Sequence, residues 1–190
     1  MFAAASAANA RPMPLQLREE RRFLKDAAAA SRFQADAARM ALARSRAPTV
    51  RSLAAQLLDQ QNGSGGELVR LLHERGMAPP MLANSQRKTL NHLAKLQGGK
   101  FDREFLVQVA LKSQRDELLD YERAAAAAAD PDLKAWIERT LPALRYRLAT
   151  AERIAPPSLR PARGLAAASR NPPLSAPRPV ATSPSEWNSR

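Results

Sequence analysis

Residues 130–148 read DPDLKAWIERTLPALRYRL, and this stretch decides the fold class. Asp130 followed by Pro131 is a helix start. The carboxylate can accept from the first free amides, and proline's fixed φ and missing N–H suit the first turn. Behind it, Leu133, Trp136, Ile137, Leu141, Leu144 and Leu148 recur at steps of three and four, the period of one helical face. The pattern runs on through Ile154 to about Ala155, which predicts one amphipathic helix with Pro142 inside it as an expected kink.

Working outward, the same periodicity predicts three more long helices. One spans about 102–129, with Leu106, Ala110, Leu118 and Tyr121 on its inner arc. Another spans about 50–75, opened by Thr49 as cap, closed by Gly76, and buried through Val50, Leu53, Ala54, Leu57, Leu58, Leu68, Leu71 and Leu72. Its middle holds Gly63, Gly65 and Gly66, yet the apolar phase resumes at Leu68, so it is read as one locally weak helix. A phosphate loop would need a preceding strand and a following Lys-Ser or Lys-Thr, and the sequence has neither. The first helix spans about 19–45, with Phe23, Ala27, Ala30, Phe33, Ala37, Met40 and Ala41 on one face and a break at Ala47-Pro48. After Pro79-Pro80, a short helix over about 86–96 is capped by Asn84 or Ser85 and ended by Gly98-Gly99.

The expectation is therefore an all-α protein: four main helices over 21–155, a short connector helix between the second and third, an N-terminal segment over 1–20, and a disordered tail over 156–190. That tail is Pro, Ala, Ser and Arg with little large apolar content beyond a lone Trp187, too little to offset the entropy of ordering.

Composition narrows the function classes. Hydrophobic residues make up 45% but aromatics only 5%. Much of the apolar content is alanine, which predicts a thin core and close helix contacts. There is no Cys, which excludes disulfides, thiol catalysis and thiolate metal sites. No apolar run approaches the ~20 residues of a membrane span. The net charge of +12 suits nucleic acid or an anionic surface, although acids and bases alternate along the helices as on an ordinary solvated face. At the N-terminus, Ala8-Asn9-Ala10 has the small-x-small form of a signal-peptidase site, followed by Arg11-Pro12. No basic n-region or apolar stretch precedes it. A start inside a longer signal peptide and an Ala-rich disordered end are both open.

Polar residues on the inner arcs are the candidate site. Gln34, Gln61, Gln114 and Arg147 give one long polar side chain per helix, and Glu117 on the third helix can neutralise Arg147. Such a set is either a site in the core or a hydrogen-bonded structural cluster. The residue types favour the second. Gln is a poor metal ligand, Arg cannot coordinate a cation, and neither is a general acid or base at neutral pH. The Glu-x-x-His of di-iron bundles is missing, and His73 and His92 read as surface residues.

Phe23-Leu24-Lys25, Phe101-Asp102-Arg103-Glu104-Phe105-Leu106, Asp132-Leu133-Lys134-Ala135-Trp136 and above all Thr140-Leu141-Pro142-Ala143-Leu144 make residues 23–155 resemble the bacterial domain of unknown function 4142 family, whose members are often labelled predicted outer membrane proteins. The resemblance implies a ferritin-like four-helix bundle and export to the periplasm or cell envelope. It also implies Glu or His at the positions of Gln34, Gln61, Gln114 and Arg147, so that any metal ligands of the family are lost here. The expected function is a non-catalytic envelope-associated bundle with no cofactor. Its partner is left open, an anionic envelope surface being one candidate and nucleic acid the runner-up, and self-association into a homo-oligomer stays open too. The alternatives are a basic nucleic-acid-binding or anionic-surface-binding protein acting through the Arg/Pro tail, and a metal-dependent enzyme.

Overall fold

A computed structural model describes residues 15–159, without the side chains of residues 60–64. The features read at residues 1–14 and 160–190, including the small-x-small site, the tail and Trp187, lie outside the described residues. Within them all regular structure is helical. In chain order, α1 is Leu15–Arg44, α2 Pro48–Glu74, α3 Asn84–Lys95, α4 Gly98–Phe105, α5 Gln114–Ala127 and α6 Pro131–Ile154. A π-helical segment, Leu106–Ser113, joins α4 to α5, and a 3-10 turn, Pro157–Leu159, follows α6. Phe105, Leu106, Ser113 and Gln114 all keep right-handed helical dihedrals, so 98–127 is one rod with a widened middle. No helix among the described residues is long and apolar enough to cross a membrane.

The helix ends follow local chemistry, with three corrections to the sequence reading. Asp130 caps α6 as expected, its Oδ1 accepting from Asp132 N at 2.9 Å and Leu133 N at 3.2 Å. Gly76, at φ +61°, closes α2: its amide donates to His73 O and that of Met77 to Leu72 O, both at 2.9 Å. This six-residue closure needs a left-handed residue, which glycine supplies without a Cβ clash. Thr49, however, is not the cap of α2. Ala47 is the N-cap and Pro48 takes the first turn, since a residue without N–H loses nothing there. Nor do Asn84 or Ser85 cap α3. The N-cap is Ala83, whose amide is held by Gln86 Oε1 at 2.9 Å. Gly98-Gly99 opens α4 rather than ending α3, which stops at Lys95.

Helix α2 passes through its glycine-rich middle without a break, and α6 continues past Pro142. Pro142 is exposed, as is Glu138, whose carbonyl it deprives of a partner, so water can satisfy that carbonyl.

Helix α1 lies along α2 and α5 along α6. The contacts α1–α5 and α2–α6 close the body, and α3 packs on α1. The core divides in two. One half joins Phe33, Leu53, Leu93, Phe101, Phe105 and Val109 around near-zero-exposure alanines such as Ala37, Ala41, Ala54 and Ala151. These alanines let α1 and α2 approach closely, which is the thin, Ala-built packing expected from composition. The other half joins Leu24, Leu68, Leu72, Tyr121, Leu133, Trp136, Ile137 and Leu144. There Phe23 meets Tyr121 edge-on at 5.0 Å, and Tyr121 meets Trp136 at 5.5 Å, within the range where aromatic pairs attract.

Candidate functional site

Between the two core halves the helices carry polar side chains inward. Gln34 on α1 and Glu117 on α5 are buried, and the Arg147 side chain on α6 is only 12% exposed. Gln34 Nε2 donates to Glu117 Oε2 at 2.8 Å and to Ser113 Oγ at 3.1 Å. Arg147 Nη2 donates to the same Glu117 oxygen at 3.4 Å. The pairing of Glu117 with Arg147 is thus present. It is longer than the 2.7–2.9 Å usual for a charge-assisted bond, so Gln34 makes the tighter contact.

The π segment sets this arrangement. Along the rod Phe101, Phe105, Leu106, Val109, Ala110, Leu111, Gln114, Glu117 and Tyr121 are buried, so the widened turn buries a broader arc than the turns on either side. After it, Ser113 and Glu117 both reach Gln34 on α1. On a regular wheel Ser113 falls at the edge of the inner arc, beside Leu106, and Glu117 nearer its centre.

A cavity of about 20 Å³ adjoins the cluster, lined by Ser31, Gln34, Gly65, Glu117, Tyr121, Trp136, Thr140 and Arg147 among others. Gly65 places a bare position of α2 on its wall, which gives the glycine-rich stretch a packing role. Trp136 Nε1 and Arg147 Nε are buried without a hydrogen-bond partner among the described residues, and Thr140 Oγ1 donates back to Trp136 O at 2.8 Å. Burial first, and the Glu117 charge second, push the Tyr121 hydroxyl well above the usual phenol range, against the opposing pull of Arg147. It therefore stays protonated and serves as a neutral donor or acceptor. Sequence reasoning had assigned Tyr121 and Trp136 to the apolar arcs alone.

The remaining predicted residues divide. Gln114 is buried, but it does not line this cavity and its Oε1 has no partner among the described residues. The side chain of Gln61 lies outside the described residues, though its backbone is part of α2. His73 and His92 are exposed, as read.

Glu117 also borders a cleft of about 270 Å³ between α1, α3 and the rod, where Asp26, Asp116 and Asp120 outnumber Lys112. Among the described residues no three His, Cys, Asp or Glu side chains converge closely enough to hold a metal ion. The central cluster does not fit one either. Its one carboxylate is taken by Gln34 and Arg147, and the guanidinium repels a cation. The central cavity, at about 20 Å³, is also far below the ~300 Å³ typical of small-molecule sites.

A second polar contact set lies at the end where α1 begins, and sequence reasoning missed it. Glu20 Oε1 accepts from Ala129 N at 2.8 Å and Asp130 N at 3.0 Å. Arg75 pairs with Asp130, and Arg21 Nη1 donates to Arg75 O at 2.6 Å. Burial acts to raise the Asp130 carboxyl, but bonds from Leu133 N, Arg75 and Asp132 N outweigh it and hold the group below the usual range.

A family model described as domain of unknown function (DUF4142) matches residues 3–154. No curated protein and no solved structure matches the chain.

Proposed function

We propose that this chain, which belongs to the domain of unknown function DUF4142 family, is a non-catalytic, ferritin-like four-helix bundle of the periplasm or cell envelope. Its central polar cluster acts as a structural lock between helices. The observation that carries this reading is the state of Glu117. Its Oε2 is shared by Gln34 at 2.8 Å and Arg147 at 3.4 Å, so the one inward carboxylate of the cluster is committed to holding α1, α5 and α6 together. Two donors on this oxygen favour its charged, hydrogen-bonded form and make it a poor proton acceptor. The long rod 98–127, paired with α6 and packed on α1, with α6 in turn against α2, supports the bundle reading. The small-x-small step at Ala8-Asn9-Ala10 supports export.

Cell fractionation with N-terminal sequencing of the mature protein tests the location. A periplasmic or envelope fraction with a start at Arg11 is expected, and a cytoplasmic protein that keeps residues 1–10 would overturn it. Metal analysis of the purified chain tests the lock: iron or zinc at one or more equivalents would overturn the non-catalytic reading.

A further inference from the structure

Acidic and basic residues alternate over much of the surface, but not at one end of the molecule. No Asp or Glu occurs between Asp36 and Asp59, or between Glu74 and Asp102. The fold brings these two acid-free runs together. Arg44, at the end of α1, donates to Ala94 O near the end of α3. Arg51, at the start of α2, reaches back to Leu42 O and Ser45 O. Lys95 follows Ala94, and α4 opens at Gly98, just ahead of Lys100 and Arg103. Arg44, Arg46, Arg51, Lys95, Lys100 and Arg103 therefore gather on one end face, and all six are exposed.

None of the six pairs with a carboxylate among the described residues. Many cations elsewhere are matched: Arg22 with Asp26, Arg70 with Glu74, Arg75 with Asp130, Arg139 with Glu67 and Arg145 with Glu122. At this pole six without an ion pair lie together, flanked only by Asp102 and Glu104 beside Arg103.

We infer that this pole is a docking face for a surface of anionic phospholipid headgroups. Unpaired cations on flexible stems, spread over the ends of several helices, complement a broad plane of negative charge. Base stacking by a nucleic acid would call for exposed aromatic or large apolar side chains. Those that are exposed, Leu15, Leu17, Val69, Met81, Leu119 and Tyr146, all lie outside residues 40–51 and 92–104. With no large apolar side chain exposed there among the described residues, the contact is electrostatic and reversible by salt. The choice of lipid rests on the envelope reading above; the charged pole itself does not.

The test is co-sedimentation of the full chain with phosphatidylglycerol-containing vesicles and with purely phosphatidylcholine vesicles, at low and high salt. Arg46, Lys95, Lys100 and Arg103 are changed together to Glu and, in a second variant, to Gln. Arg44 and Arg51 are left intact because they bond backbone carbonyls. A third variant changes Arg160, Arg163, Arg170, Arg178 and Arg190 to Gln. The wild type is expected to bind the anionic vesicles alone and to release in high salt. Each pole variant should bind at least tenfold more weakly while keeping its helical circular dichroism, and the third variant should keep most of its binding. Equal binding to both vesicle types, or folded pole variants that bind like the wild type, would overturn the inference. So would tighter binding of duplex DNA than of anionic vesicles at the same salt. A protein found in the periplasm that ignores vesicles sinks this inference alone, whereas one that binds vesicles but fractionates with the cytoplasm sinks the location alone.

Discussion

The two halves of the core are built differently. The half around Phe101, Phe105, Leu93 and Leu53 is aliphatic and aromatic carbon packed against alanine, and the surface beyond it carries unpaired cations. The half around Trp136, Tyr121 and Leu68 borders the Gln34–Glu117–Arg147 cluster and is closed at its far end by Glu20, Arg75 and Asp130. Burial of carbon holds the first half. The second adds specific polar contacts, which cost much when broken singly and little when replaced as a set. The comparison predicts that the two halves answer differently to substitution.

The largest effect of lost carbon packing belongs to the dry half. Phe105→Ala removes a ring with 0% exposure and should cost about 3–5 kcal/mol, read as a lower urea midpoint with unchanged slope. A loss under about 1 kcal/mol would mean that this half is loosely packed and the contrast false. In the polar half, Gln34→Ala strips Glu117 of its shorter hydrogen bond and should cost about 1.5–3 kcal/mol, the range for bonds to charged groups. A neutral result would show that Arg147 alone satisfies the carboxylate.

How far the sequence reached differs between the halves as well. The all-helical class, much of the inner arcs, the Asp130-Pro131 start and the Glu117–Arg147 pair follow from periodicity and residue type. The π segment does not, because a fixed 100° step cannot register a widened turn. Glu20 was missed for another reason. Its partners, Ala129 and Asp130, are about 110 positions away in sequence, and no local pattern encodes that approach. The charged pole escaped notice because alternation was judged helix by helix, whereas the two acid-free runs meet only in the fold.

The smallest of these effects comes from the far-end contacts. Asp130→Ala removes a cap and an ion-pair partner at a partly exposed position and should cost about 0.5–2 kcal/mol at neutral pH. The Asp130 carboxyl is lowered in the folded state, so its stabilisation is present above the unfolded carboxyl value of about 4 and is lost as pH falls through the folded value. The gap between wild type and variant should therefore narrow as the pH of urea unfolding is taken from 7 down toward 2.5. A gap that stays constant over that range would remove the carboxylate from the account.

The central claim, that Glu117 and Arg147 form a structural lock, is tested most directly by a double-mutant cycle with Glu117→Leu and Arg147→Met, read by equilibrium urea unfolding. Each single change strands one buried partner and should cost about 3–5 kcal/mol, whereas the double variant should lie within about 1 kcal/mol of the wild type. A double variant destabilised by the sum of the two singles would mean that the residues do not act as a pair, and would contradict the claim.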